Sequence, residues 1–239
     1  MSRKRLLLLS NSINYGGEFL AHAVGDIRDF LGPAVRRVLF VPFAGVTRSF
    51  DEYAATVRAR FEEMGYGLDS LHEAARPVEA VAGAEAIAVG GGNTFHLLRG
   101  MYEAGLIEAV RARVETGTPY MGWSAGSNVA CPTIRTTNDM PIVEPQSFDA
   151  LSLVPFQINP HYTDETLANH SGETRGQRIA EFLKANPGMT VVGLREGCAL
   201  RIEGGEVRLL GKTSARVFAG GQEAKEYGPA DSLKFLLDS

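Results

Sequence analysis

The chain alternates short, continuous apolar runs with longer stretches in which apolar residues recur at helical spacing. The runs "RLLLLS" (5–10), "VRRVLFVPFA" (35–44), "AEAIAVGGG" (84–92), "TPYMGWS" (118–124) and "MTVVGLREG" (189–197) predict buried strands that end in turn residues. Between them, "GEFLAHAVGDIRDFLG" (17–32), "FDEYAATVRARFEEMG" (50–65), "NTFHLLRGMYEAG" (93–105), "LIEAVRARVETG" (106–117) and "GETRGQRIAEFLKANPG" (172–188) predict helices. The second helix opens with Asp51 and Glu52 and is followed by Gly65, as the helix dipole and C-terminal capping favour. Strands that are apolar on both faces belong to parallel sheets covered on both sides. The pattern therefore predicts an α/β fold: a doubly wound, mostly parallel sheet with helices on both faces. From Ala199 onward the period shortens. "ALRIEGGEVRLL" and "SARVFAGGQEAKEY" predict C-terminal β-hairpins, the first around a Gly-Gly turn. With no repeat, no low-complexity linker and no second core, residues 1–239 are expected to form a single domain.

Composition narrows the function classes. The chain is 44% hydrophobic and 22% charged, ordinary for a globular protein, and its net charge of −4 gives no electrostatic footprint for nucleic acid. The start "MSRKRLLLLSNS" has the basic residues of a signal peptide, but its apolar core is too short and no small-residue cleavage site follows. That core is also too short to span a membrane, so a buried first strand is expected. Two cysteines, Cys131 and Cys198, without CxxC spacing argue against a disulfide scaffold or a cysteine zinc site and fit a reducing cytoplasm.

In an open α/β sheet, ligands gather at the carboxyl ends of the strands. Those ends carry "SNS" (10–12), "AGVTRS" (44–49), "GGGNT" (90–94), Ser124 and "REG" (195–197). Ser124 lies in "GWSAG", a G-x-S-x-G match that 27 glycines can also produce by chance. Context strengthens it: a strand precedes the serine and a helix is expected from Ala125, as a nucleophile elbow requires. The turn would expose the Ser124 hydroxyl and place the Ala125 N–H at a helix start, as an oxyanion donor. A serine also needs a base. Of five histidines, His22, His72 and His96 fall in or beside regular elements, and His170 sits in a polar loop. His161, in "FQINPHYT", follows a short apolar segment and a direction-fixing proline, and is the candidate base. Zinc at His161 with Asp164 or His170 lacks any known ligand spacing, so neither metal nor cofactor is expected. Two carboxylates compete to orient the imidazole: Asp139 in a loop, and Glu196 at a strand's carboxyl end. "GGGN" has neither P-loop nor dinucleotide spacing, and suits an oxyanion wall through the Gly92 or Asn93 backbone.

The segments "LLLLSNS", "PFAGVT", "VGGGNTFHLL", "GWSAGSNVACPTIRTTNDMPIV", "QINPHYT" and "GETRGQRI" together resemble the peptidase E family, serine peptidases of the aspartyl dipeptidase type. The resemblance runs in unbroken order from about Leu6 to Gly197 and is weaker after Ala199. It implies a fold similar to class I glutamine amidotransferases and metal-free hydrolysis of dipeptides with N-terminal aspartate. By position it implies Ser124 as nucleophile, His161 as base, and Gly92 and Ala125 as oxyanion donors, and leaves Asp139 and Glu196 both open. Asn93 is an expected substrate contact, and Arg175 is expected to hold the aspartyl side chain through its planar fork. Arg48 and Arg135 on neighbouring loops are alternatives. The expected partner is a small peptide, with no nucleic acid and no membrane, for a cytoplasmic monomer or homodimer. Two other readings stay open: a cyanophycinase-like peptidase cutting β-linked Asp-Arg chains, and a non-catalytic amidotransferase-like binding module.

Overall fold

The four leucines of β1 (Leu6–Leu9), none more than 1% exposed, divide between two cores. Leu6 and Leu8 face one apolar cluster and Leu7 and Leu9 another, so the strand is covered on both sides. The computed structural model describes residues 3–165 and 171–238. Along the chain, β1 is followed by α1 (Val24–Leu31), β2 (Arg37–Val41), α2 (Phe50–Glu63), β3 (Gly67–Ser70) and α3 (Pro77–Gly83). Next come β4 (Ile87–Val89), α4 (Thr94–Glu103), α5 (Leu106–Glu115), β5 (Tyr120–Trp123) and the single turn α6 (Ala125–Asn128). The remainder comprises β6 (Gln157–Tyr162), α7 (Arg175–Ala185), β7 (Thr190–Arg195), β8 (Ala199–Glu203), β9 (Glu206–Leu210), β10 (Ala215–Ala219) and β11 (Lys225–Tyr227).

Among the described residues these strands form a seven-stranded sheet, ordered β3-β2-β4-β5-β1-β8-β9, and a four-stranded sheet, ordered β11-β10-β7-β6. The first five strands of the large sheet are parallel, and the hairpin β8–β9 closes it antiparallel against β1. Helices α1 and α2 cover one face through Ile27, Phe30, Tyr53, Val57 and Phe61. The other face packs on α4 and α5 and on residues of the smaller sheet, including Ile158, Val192 and Leu194. The expected α/β fold and C-terminal hairpins are present.

Two placements differ from the sequence reading. Strand β7 lies in the second sheet, between β6 and β10, because apolar periodicity specifies burial and not the neighbouring strand. The helix expected over 17–32 is regular α-helix only from Val24, since the chain turns at Gly16 and at Leu20, both with positive φ. Strand β3 and helix α3 were not foreseen. No helix among the described residues is long and apolar enough to cross a membrane.

Candidate active site

Where β5 ends, the chain reverses at once into α6, and Ser124 occupies that turn with φ 53° and ψ −111°. Such a conformation costs a non-glycine residue about 1–3 kcal/mol and persists only where the surroundings enforce it. The two flanking glycines provide the enforcement. A Cβ on Gly122 would overlap Gly126 O, and one on Gly126 would overlap Val89 O, so β4, β5 and the turn close to a distance no side chain permits. The Ser124 N–H donates to Leu9 O at 3.1 Å, and Ser124 O accepts from the N–H groups of Ser127 and Asn128 at 2.9 and 3.0 Å. The Ala125 N–H is left at the helix start, where it has no intrahelical partner.

His161 is placed by an irregularity in β6. Pro160 pairs with Leu194 and Tyr162 with Arg195, so His161 is the extra residue of a β-bulge, with φ 53°. Bulges re-aim side chains beside active sites. Its N–H, out of the ladder, donates to Ser10 Oγ at 2.8 Å, while the Ser10 hydroxyl donates to Leu194 O at 2.8 Å. The imidazole then meets Ser124 Oγ through Nε2 at 3.0 Å and Glu196 Oε1 through Nδ1 at 2.7 Å. As a carboxylate, Glu196 accepts a hydrogen bond from Nδ1–H and so leaves the Nε2 lone pair facing the serine hydroxyl. Glu196 follows β7, and the next amide, Gly197 N–H, donates to Asn11 Oδ1 at 2.8 Å. Three consecutive residues at the carboxyl end of β1, Leu9, Ser10 and Asn11, thus tether the backbone at Ser124, at His161 and beside Glu196.

Of the two carboxylates left open by the sequence, Glu196 reaches the imidazole and Asp139 does not. Asp139 Oδ2 accepts from Thr94 N–H at 2.8 Å, Thr94 Oγ1 at 2.5 Å and Thr137 Oγ1 at 3.0 Å. It anchors its loop to the start of α4, and its candidacy as orienting acid is corrected accordingly. Gly92 has φ 138°, and a Cβ there would overlap Ala44 O. Asn93 N–H already donates to Ala44 O at 2.9 Å, so of the two amides expected at the oxyanion wall, Gly92 and Asn93, the second is engaged. The Asn93 side chain is engaged at both ends: Oδ1 caps α4 through His96 N–H at 3.1 Å, and Nδ2 donates to Met140 O at 2.9 Å. The substrate-binding role expected of Asn93 therefore meets a side chain already committed to the loop.

Arg175 is the first residue of α7 and half-buried, and its guanidinium has no hydrogen bond or ion pair among the described residues. Burial, then the nearby Arg178, lowers its pKa, while Glu196 is close enough to pull it back up. The alternative arginines are occupied by rings: Arg48 Cζ lies 3.3 Å from the Tyr53 centroid and Arg135 Cζ 5.6 Å from that of Phe148.

For a metal at His161, both ring nitrogens are in use, and Asp164 is bound by Tyr162 Oη at 2.8 Å, by Arg216 at 2.6 Å and by Arg195. His170 lies outside the described residues. Asp51, His72 and Glu73 bring ligand atoms within 4.8 Å of one another, but Glu73 is paired with Arg58 at 3.2 Å. Ser10 and Asn11 carry no signal of a positioning role in the sequence, although "SNS" lies on the rim at the end of the first strand. His22, half-buried just before α1, keeps both ring nitrogens buried without a hydrogen-bond partner among the described residues; that burial lowers its pKa, with Asp26 and Glu196 pulling it back up.

Comparison with known proteins identifies the family. The model of peptidase family S51 matches residues 6–210, from the start of β1 to the end of β9. The chain is 53% identical to Peptidase E of a Nostoc species over 235 residues, covering 98% of this chain and 97% of that one. It is 49% identical to Peptidase E of Citrobacter koseri over 219 residues, covering 92% and 95%. Its fold is similar to the crystal structure of a peptidase from an acI-B1 Actinobacterium, with a TM-score of 0.70, 16% identity and 96% of each chain covered. That last likeness speaks for the fold alone. The matched segment contains Ser124, His161 and Glu196. By sequence over most of its length, the chain belongs to peptidase family S51 and is a hydrolase of peptide bonds.

Proposed function

We propose that the chain is a serine-type dipeptidase acting on dipeptides with an N-terminal aspartate. The observation that carries this reading is the hydrogen-bond chain Ser124–His161–Glu196, with contacts of 3.0 and 2.7 Å. Ser124 Oγ attacks the peptide carbonyl while His161 Nε2 takes its proton, and Glu196 stabilises the imidazolium. The N–H groups of Gly92 and Ala125 receive the oxyanion. His161 then gives the proton to the leaving amine, the C–N bond breaks, and an aspartyl ester remains on Ser124. Water attacks that ester with His161 again as base, releasing aspartate and restoring the serine.

Arg175 gives the reading its selectivity. A half-buried guanidinium unpaired among the described residues, within electrostatic reach of Glu196, suits the aspartyl carboxylate of a substrate bound at Ser124. A hydrogen bond to a charged group is worth about 1.5–3 kcal/mol, so asparagine in place of aspartate should lower kcat/KM roughly 10- to 150-fold.

The test compares kcat/KM for Asp-Leu, Asn-Leu and a β-linked Asp-Arg polymer, in the wild type and in Arg175→Met. The expected result is a preference for Asp-Leu that collapses in the variant. Equal rates on Asp-Leu and Asn-Leu in the wild type would overturn the specificity. Preferential cleavage of the polymer would move the reading to a cyanophycinase-like peptidase.

A further inference from the structure

Residues Gly90, Gly91 and Gly92 join β4 to α4 and thread between a core aromatic cluster and the serine. A Cβ on Gly90 would come within 2.7 Å of Tyr53 Oη, and one on Gly91 within 2.9 Å of Trp123 Cδ1 and 3.1 Å of Ser124 Cβ. Tyr53, on α2 and 1% exposed, donates its hydroxyl proton to Gly91 O at 2.9 Å. Trp123, the residue before Ser124, donates Nε1–H to the same hydroxyl oxygen at 3.0 Å. An indole N–H can only donate, so the tyrosine oxygen accepts there and its own proton is directed to the carbonyl. Phe40 fixes both rings, stacked on Trp123 at 5.8 Å with 7° between planes and edge-on to Tyr53 at 5.0 Å. Burial pushes the Tyr53 hydroxyl up to about 12, so it stays protonated at any ordinary assay pH.

A trans peptide is planar, with its C=O and N–H on opposite sides. With Gly91 O held into the core by Tyr53, the N–H of the same peptide unit, that of Gly92, is turned to the opposite side, away from the aromatic cluster. We propose that Tyr53, locked by Trp123, is a positioning residue for the oxyanion hole, fixing the Gly91–Gly92 peptide so that the Gly92 N–H is aimed before substrate arrives. The inference rests on Ser124 being the nucleophile. It assigns a role in transition-state stabilisation to a side chain that touches neither the substrate nor the reacting atoms. It also explains why the tryptophan adjoins the serine: one indole couples the nucleophile's strand to the oxyanion loop.

Tyr53→Phe removes the hydroxyl and little else. On Asp-Leu, kcat is expected to fall about 10- to 100-fold with KM nearly unchanged, less than the loss of an oxyanion donor outright. An aspartyl boronic acid, which becomes tetrahedral on Ser124, should lose affinity by the same factor, whereas product aspartate should bind as before. Trp123→Phe keeps the stacking and frees the tyrosine hydroxyl to rotate, and should give a smaller loss with the same split, so the idea stays testable if Tyr53→Phe folds poorly. Wild-type kcat and boronate affinity in either folded variant, with only a lowered Tm, would overturn the proposal. Ser124→Ala run alongside separates the two claims. An active Ser124→Ala sinks the nucleophile assignment, whereas an inactive one beside an unaffected Tyr53→Phe sinks only the role of Tyr53.

Discussion

Ser10→Ala is the perturbation that best probes how the site is assembled. Ser10 is fully buried, and its hydroxyl makes two bonds of 2.8 Å, accepting His161 N–H and donating to Leu194 O. Its loss strands one donor and one acceptor in the interior, at about 1–2 kcal/mol each, for a total near 2–4 kcal/mol. For a chain of this size each kcal/mol lowers Tm by about 2–4 °C, so a fall of roughly 5–15 °C is expected. The larger effect should be on catalysis. The His161 N–H is excluded from the ladder by the bulge, and φ at 53° is a conformation the residue would leave if released. A displacement of about 1 Å in the imidazole costs on the order of 100-fold. The assay is steady-state hydrolysis of Asp-Leu at 25 °C, well below the lowered Tm, with thermal unfolding measured in parallel. The expected outcome is a kcat reduced about 10- to 100-fold at near-constant KM, with partial recovery in Ser10→Thr, which keeps the hydroxyl. A wild-type kcat in a folded but less stable Ser10→Ala would refute the reasoning, because the bulge would then hold His161 without the tether.

Other substitutions separate neighbouring roles. Glu196→Gln should lower kcat about 100- to 10,000-fold with little change in Tm, whereas Asp139→Asn should lower Tm and cost far less activity; the reverse ranking would return the orienting role to Asp139. Gly126→Ala drives a methyl into Val89 O and should abolish activity with a large loss of stability, and a soluble, fully active variant would contradict the packing of the turn. Burial alone would raise the pKa of Asp164, but hydrogen bonds from Arg195, Tyr162 and Arg216 hold it at about 2. A depressed carboxylate contributes stability that is complete above its unfolded pKa, near 3.9, and is lost as pH falls through the folded one. The Tm deficit of Asp164→Asn should therefore be largest at neutral pH and shrink between about pH 4 and pH 2; a deficit independent of pH would show that the charge is not what Asp164 contributes.

Much of the fold was legible because parallel strands have to be apolar on both faces, and "LLLL", "VLFV" and "IAV" stand out on that account. Strand β3 escaped because "GLDS" is short and half-exposed at the sheet edge, where no apolar run is required. Strand β6, "QINPHY", hides its burial behind polar residues: Gln157 and Asn159 are buried but bonded to Thr133 and to Thr136 and Asn138. At the site, Ser124 and His161 could be read from local patterns. The choice between Asp139 and Glu196 could not, because it depends on β7 lying beside β6, and strand adjacency is absent from hydrophobic periodicity. Tyr53 and Ser10 were invisible for a related reason. Each looks like an ordinary buried residue until a bond to a segment far along the chain gives it a task, to Gly91 and to His161 respectively.

The central claim is that peptide cleavage passes through an ester on Ser124. Rapid acid quench of the protein turning over an activated aspartyl amide, followed by peptide mass mapping, tests it directly. The account predicts a single aspartyl group on the peptide bearing Ser124, formed faster than steady-state turnover and missing from an inactive Ser124→Ala. Turnover that proceeds with no adduct on Ser124, and persists in Ser124→Ala, would contradict it.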